Sequence, residues 1–263
     1  MKIIDTHSHL YSEKFSEDLD SVIERAAAIT EAVFLPNIDN RSIQSMHSLV
    51  AKKPELFYPM MGLHPCSVEE NFEPTLENME KRFHQFSYYG VGETGLDLYW
   101  DKTSLPRQIT SLKVHIQWAK AFQLPIILHA RNAIDEVFSC IAEAHSEDLW
   151  GIFHCFDGSL TQAQKICELG NFKLGIGGNL TYRKDVPKVV REVPLEFIVL
   201  ETDSPYLAPE PHRRTRNESS YTRFVAEKLG ELFDLPYEEI ARITNRNAKE
   251  VFRTYERVEK PEG

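Results

Sequence analysis

The sequence predicts an α/β fold, a (β/α)8 TIM barrel. Three observations predict it. Short continuous apolar runs recur along the chain. They alternate with amphipathic segments. The length, 263 residues, suits eight βα units in one domain. Runs of this kind suit strands buried on both faces, as in parallel sheets. A doubly wound open sheet has the same rhythm; count and length favour the barrel.

In chain order the runs are KIIDT, EAVFLPNI, FYPMMGL, YYGVGE, LPIILHA, WGIFHCF, FKLGIGG and FIVLETD. Between them, Leu19, Val22, Ile23 and Ala26 recur at helical spacing, as do Ile134, Val137, Phe138 and Ile141. Ser159 is placed to N-cap a helix through Cys167 and Leu169. YTRFVAEKLGEL and YEEIARITNRNAKEVF read as closing helices. No linker divides the chain, so residues 1–255 read as one (β/α)8 domain and 256–263 as a polar tail.

Hydrophobic residues make up 42% and charged residues 27%, an ordinary globular balance. A net charge of −10 argues against a broad basic face that coats nucleic acid. A cleft can still carry its own sign. Cys66, Cys140, Cys155 and Cys167 form no CxxC pair and read as reduced thiols, mostly packing residues. The start MKIIDTHSHL lacks the apolar stretch of a signal peptide, and no run is long enough to span a membrane. A cytoplasmic monomer with no membrane partner is the expectation.

The chemistry stands at the run ends. The first ends in His7 and His9, the third in His64, the fourth in Glu93 and Asp97. The fifth ends in His129 and Arg131, the sixth in His154, the eighth in Glu201 and Asp203. A lone histidine is most often structural, but in a barrel these ends share one face. His7 and His9, two apart on a strand, point the same way. They can meet one ion, with Asp203 as third ligand from the neighbouring eighth strand. His129 and His154 can hold a second ion, with Glu93 bridging. Imidazole and carboxylate suit zinc, manganese or iron and do not exclude magnesium. Two divalent ions about 3.5–4 Å apart activate water and clamp attacking and leaving oxygens.

DTHSHL, GLHP, GETGLD, LHAR, FHCF and ETDSPYLAP, in this order and spacing, resemble the TatD-type metal-dependent deoxyribonucleases of the amidohydrolase-like superfamily. The resemblance runs from residue 1 to about 252. It implies two divalent ions, magnesium, manganese or zinc. His7, His9, Glu93 and Asp203 would hold one; Glu93, His129 and His154 the other. Glu93 and Asp203 would be catalytic, Asp203 orienting the attacking water and accepting its proton. His64 and Asp97 would lie near a bound phosphate, or else orient a ligand imidazole. Arg131 shares a face with His129 and would pair with phosphate, or else make a structural ion pair.

The loop APEPHRRTRNESSY resembles the family's R-G-K-R-N-E-P pattern, keeping Arg213, Arg216, Asn217 and Glu218. Arg214 and Thr215 replace Gly-Lys, and Ser219 replaces Pro, which puts substrate preference in question. Arg213 and Arg216 read as phosphate grips or as a solvated basic loop. Arg183 and Lys184 read more readily as surface residues. Tyr99 and Trp100 would stack on a base or pack in the core.

The resemblance implies phosphodiester hydrolysis, 3′ to 5′, on single-stranded DNA. Ester or amide hydrolysis at the same centre, as of an aminoacyl-tRNA or a cyclic amide, is the alternative. Glu93, with no lysine in YYGVGETGLD, favours a carboxylate bridge over a carboxylated lysine. A non-catalytic nucleic-acid-binding module would have lost ligands, and all six candidates are present.

Overall fold

Each apolar run becomes a parallel strand. The computed structural model describes residues 1–253 and 255, so the expected tail at 256–263 lies outside the described residues. The strands are β1 (Ile3–Asp5), β2 (Thr30–Pro36), β3 (Phe57–Met60), β4 (Val91–Asp97), β5 (Ile126–Arg131), β6 (Gly151–Phe153), β7 (Phe172–Ile176) and β8 (Ile198–Leu200). They pair in chain order, β1 to β3 and β4 to β8. Backbone hydrogen bonds cross both remaining seams. Met61 N donates to Gly90 O (3.1 Å) and Gly92 N to Met61 O (2.8 Å) between β3 and β4. Thr6 N donates to Leu200 O (3.0 Å) and Asp203 N to His7 O (2.9 Å) between β8 and β1. The ring of eight is thereby complete.

Among the described residues, ten α-helices lie between and after the strands: α1 (Leu19–Ile29), α2 (Ser42–Lys52), α3 (Glu73–Phe83), α4 (Leu105–Phe122), α5 (Ile134–Ala144), α6 (Leu160–Glu168), α7 (Asn179–Tyr182), α8 (Val186–Val190), α9 (Thr222–Phe233) and α10 (Tyr237–Val251). The expected faces are the buried ones, Val22, Ile23 and Ala26 on α1 and Val137 and Ile141 on α5. Ser159 caps α6 as expected. Gln162 N donates to its Oγ (3.3 Å), and Ser159 N donates back to Gln162 Oε1 (2.9 Å).

Alternation along the strands separates two apolar layers. Ile3, Val33, Leu35, Ile126 and Leu128 pack with the helix faces. Ile4, Ala32, Phe34, Ile127, Ile152 and Val199 form a smaller inner cluster. The end of α10 closes that cluster, with Phe252 stacked on Phe34 at 3.5 Å between ring centroids. Among the described residues, no helix is long and apolar enough to cross a membrane.

One buried histidine holds a site loop. In α4, His115 Nδ1 donates to Ser111 O (2.8 Å), leaving Nε2 to accept from Leu63 N (2.9 Å), beside His64. Burial pushes its imidazole down from 6.5 to about 4. Its contribution to stability is therefore complete above pH 6.5 and is lost as pH falls towards 4. Between pH 7.5 and 5 that loss should be about 2 kcal/mol. Urea unfolding at the two pH values should show a fall in stability about that much smaller in His115→Gln than in the wild type.

Candidate metal centre

The strand-end histidines converge as the alternation requires. Between His7 and His9, Ser8 faces away and meets Ser204 Oγ at 2.6 Å. Both imidazoles turn inward, their Nε2 atoms 3.2 Å apart. His154 stacks on His7 with ring centroids 3.5 Å apart.

Glu93 stands at the middle, 3% exposed. Its two oxygens face different groups. Oε2 lies 3.2 Å from His7 Nε2 and 3.4 Å from His9 Nε2. Oε1 lies 2.7 Å from His129 Nδ1, 3.4 Å from His64 Nε2 and 3.6 Å from His154 Nε2. Asp203 Oδ1 closes the first group, 3.5 Å from His9 Nε2 and 3.8 Å from His7 Nε2, and lies 3.9 Å from His154 Nε2. This is the arrangement expected of a carboxylate between two cation positions.

Each imidazole's other nitrogen decides what it can do. His9 Nδ1 donates to Tyr11 Oη (2.9 Å), whose hydroxyl is in turn given to Pro36 O (2.5 Å). His154 Nδ1 lies 2.9 Å from Glu201 Oε1, and His129 Nε2 donates to Asp97 Oδ2 (3.0 Å). With protons on these outer nitrogens, His9 Nε2, His154 Nε2 and His129 Nδ1 are directed at the centre and would offer lone pairs to an ion once the protons shared there are lost. His64 is different: its Nδ1 accepts from Cys66 N (3.1 Å). Nε2 then carries the proton, so His64 faces the centre as a donor and not as a ligand. Asp97 likewise orients His129, while its Oδ1 accepts from Tyr99 N (2.9 Å) and Trp100 N (3.1 Å).

Electrostatics bind the set together. Burial pushes the Glu93 carboxyl up, but the imidazoles of His64, His7 and His154 outweigh it and hold it well below its usual range. Burial lowers the His154 imidazole, and the carboxylates of Glu201 and Glu93 more than reverse this, to about 9. For Asp97, burial is outweighed by the His129 hydrogen bond and the two backbone donors, leaving it at about 2. Asp5, beneath the site, is pushed by burial to about 7 although Thr202 N (2.9 Å) and Thr202 Oγ1 (2.7 Å) donate to it, tying β1 to the segment after β8.

The donor chemistry fits divalent cations. Ligand atoms of His7, His9 and Asp203 lie within 4.8 Å of one another, as do those of His154, Cys155 and Asp203. With deprotonated carboxylates and imidazole lone pairs converging, an ion would displace the protons that the imidazoles otherwise share with them. Asp203, at 16% side-chain exposure against 3% for Glu93, is the more open carboxylate of the pair.

Above the centre lies a cavity of about 700 Å³, lined on its rim by Trp100, Arg131, Tyr182, Arg183 and Tyr206. Arg131 lies 4.0 Å over the Tyr99 ring and makes no structural ion pair among the described residues. Tyr99 and Trp100 are 54% and 69% exposed, so the core-packing alternative for them falls away. Arg213 does not itself line the cavity but lies 3.7 Å over the ring of Tyr182, which does.

One expectation needs correction. Arg216 does not reach the cavity, because its guanidinium is held by both Asp18 oxygens (2.7 Å each) and by Lys14 O (2.9 Å). Of the cysteines, Cys66 and Cys155 line the cavity. Tyr11 went unnamed in the sequence reading, and Glu201 was named at its run end without a role. Each stands two residues from a candidate ligand, which was the one local signal.

The sequence matches the family model described as TatD related DNase over residues 4–253. The chain belongs to the TatD family. It is 37% identical to YabD of Bacillus subtilis (strain 168), an uncharacterized metal-dependent hydrolase, over 95% of this chain and 99% of that protein. The crystal structure of YjjV, a TatD homolog from Escherichia coli K12, superposes with a TM-score of 0.88 at 30% identity, covering 95% of this chain and 98% of the other. A TatD family hydrolase from Entamoeba histolytica, at 19% identity and a TM-score of 0.84, shares the fold. This TatD-family chain is thus a metal-dependent hydrolase with the amidohydrolase-like barrel.

The Glu201 contact carries a prediction. Glu201→Gln removes the charge that holds His154 with its lone pair inward, so metal affinity should fall about 10–100-fold. Manganese titration by calorimetry checks this.

Proposed function

We propose that this TatD-family chain is a metal-dependent deoxyribonuclease that removes nucleotides from the 3′ end of single-stranded DNA. The observation that carries the reading is Glu93, its two oxygens facing two groups of imidazoles at the floor of a cavity with a carboxylate-free arginine, Arg131, on its rim. His7, His9, Glu93 and Asp203 would hold one divalent ion; Glu93, His129 and His154 the other. Bound ions would supply Lewis acidity at a phosphoryl oxygen and lower the pKa of a water. Asp203 would orient that water and take its proton at the carboxylate. The His64 Nε2–H would donate to a phosphate oxygen, and Arg131, stacked flat on Tyr99, would offer its edge to another. DNA in the cytoplasm, met by a monomer, completes the proposal.

The second reading, hydrolysis of a carboxylic ester or amide at the same centre, draws on one observation. Arg216 is committed to Asp18, which leaves the phosphate grip with fewer arginines than the loop suggested. Initial rates on a single-stranded oligonucleotide, an aminoacyl ester and a cyclic amide, each with manganese and with EDTA, separate the two. The proposal expects metal-dependent release of nucleotide at a kcat/KM at least a hundredfold above the others. A preference for the ester or the amide would overturn it.

A further inference from the structure

Among the described residues, five large hydrophobic side chains are exposed: Met1, Phe86, Tyr99, Trp100 and Tyr206. Single exposed apolar residues are normal, whereas a gathering at one cleft marks a surface that takes something flat and apolar. Tyr99, Trp100 and Tyr206 gather at the mouth of the barrel.

Each aromatic position there carries a cation. Arg131 lies 4.0 Å from the Tyr99 ring centroid and 5.6 Å from that of Trp100. Lys14 Nζ lies 4.4 Å over Tyr206, and Arg213 3.7 Å over Tyr182. Arg25, Arg183 and Arg216, by contrast, are engaged by carboxylates. Among the described residues Arg131, Arg213 and Lys14 have no such partner. A guanidinium lying flat on a ring keeps its in-plane N–H donors directed outward, where phosphate oxygens can meet them in pairs.

The topology sets these groups on two sides. Tyr99 and Trp100 follow β4, and Arg131 ends β5. Tyr206 and Arg213 follow β8, and Lys14 follows β1. In a closed ring of eight strands in chain order, β4 and β5 stand across from β8 and β1. The Glu93 centre lies between the two sides. A small ester would need one such station at most, whereas a chain passing over the centre would use both.

We propose that these two aromatic–cation stations hold a single-stranded nucleic acid across the barrel mouth, with bases on Trp100 and Tyr206 and the scissile phosphate over the centre. The proposal deepens the phosphodiesterase reading and rests on it for the direction of the chain. A duplex hides its base faces and fits the stations poorly; stacking on aromatic side chains tolerates any base sequence.

Trp100 supplies its own probe. The other tryptophans, Trp118 and Trp150, are 3% and 4% exposed, against 69% for Trp100. The full chain, in EDTA to prevent turnover, is titrated with decathymidylate while tryptophan fluorescence is followed. Saturable quenching is expected, and Trp100→Phe should abolish the signal. Tyr206→Ala, on the far side, should raise the decamer's Kd at least fivefold, from the worth of one stacked base. It should raise that of thymidine monophosphate by less. A blunt hairpin of equal charge should bind more weakly than the decamer.

Absent quenching, quenching that survives Trp100→Phe, an unmoved decamer Kd in Tyr206→Ala, or equal binding of the hairpin would each overturn the stations. Cleavage of the same decamer with manganese is scored separately. Quenching without cleavage would support the stations and remove the phosphodiesterase reading. Cleavage without quenching would do the reverse.

Discussion

Glu93→Gln should lower kcat by at least a thousandfold, a loss of about 4 kcal/mol, with the fold intact. The side chain keeps its size, so the buried space around it is unchanged. What changes is charge and symmetry. Oε2 faces His7 and His9 at 3.2 and 3.4 Å, and Oε1 faces His129 at 2.7 Å. An amide offers one oxygen, and its NH2 would face the other group with donors where a cation should sit. Metal analysis of the purified protein should show about two divalent ions per chain in the wild type and at most one in Glu93→Gln. A variant that retained more than about a tenth of wild-type kcat under saturating metal, a loss below about 1.4 kcal/mol, would mean that Glu93 does not bridge.

Gly95→Ala should destabilise the chain by about 3 kcal/mol or more, lowering the melting temperature by roughly 6–12 °C. Gly95 has φ +140°, and a Cβ there would sit 2.0 Å from the carbonyl oxygen of His129. The clash is with backbone, which has no rotamer to give. Gly95 also pairs with His129 in the β4–β5 register. Any relief must therefore displace β5 and the His129 imidazole with it. Thermal unfolding by circular dichroism measures the first effect. A rate below wild type at temperatures where the variant is fully folded reports the second. A variant that melts within 2 °C of wild type would show that the two strands can part without cost.

The fold was readable because its signal is repeated. Eight apolar runs, each bounded by a helix pattern, leave little room for another architecture, and each run contains a strand. The ring of ligands was readable for the same reason, since all but Glu93, the third residue of β4, lie just inside or beyond the C-terminal end of a strand. Pairing in space was not readable. Arg216 is adjacent to kept family residues in sequence, yet its partner Asp18 is 198 positions away. Nothing local distinguishes a guanidinium that grips a carboxylate from one that waits for phosphate.

Exposure was hidden too. Tyr99 and Trp100 read more readily as core residues than as base platforms, and the deciding feature is the turn after β4, where Asp97 Oδ1 accepts both of their N–H groups and directs the chain outward. His64 shows a third limit. Its position at a strand end suggested the centre, but only the Cys66 N–H on its Nδ1 distinguishes a donor from a ligand. The Leu63–His115 bond that steadies this loop spans 52 residues and leaves no local trace.

The most direct test is a time course on a 5′-labelled single-stranded DNA oligonucleotide, with manganese, magnesium or EDTA, using protein whose metal content has been measured. The account predicts a metal-dependent ladder that shortens from the 3′ end and is absent in EDTA. No cleavage by protein shown to carry two divalent ions would contradict it, leaving His7, His9 and Glu93 with their ions but without DNA as their substrate.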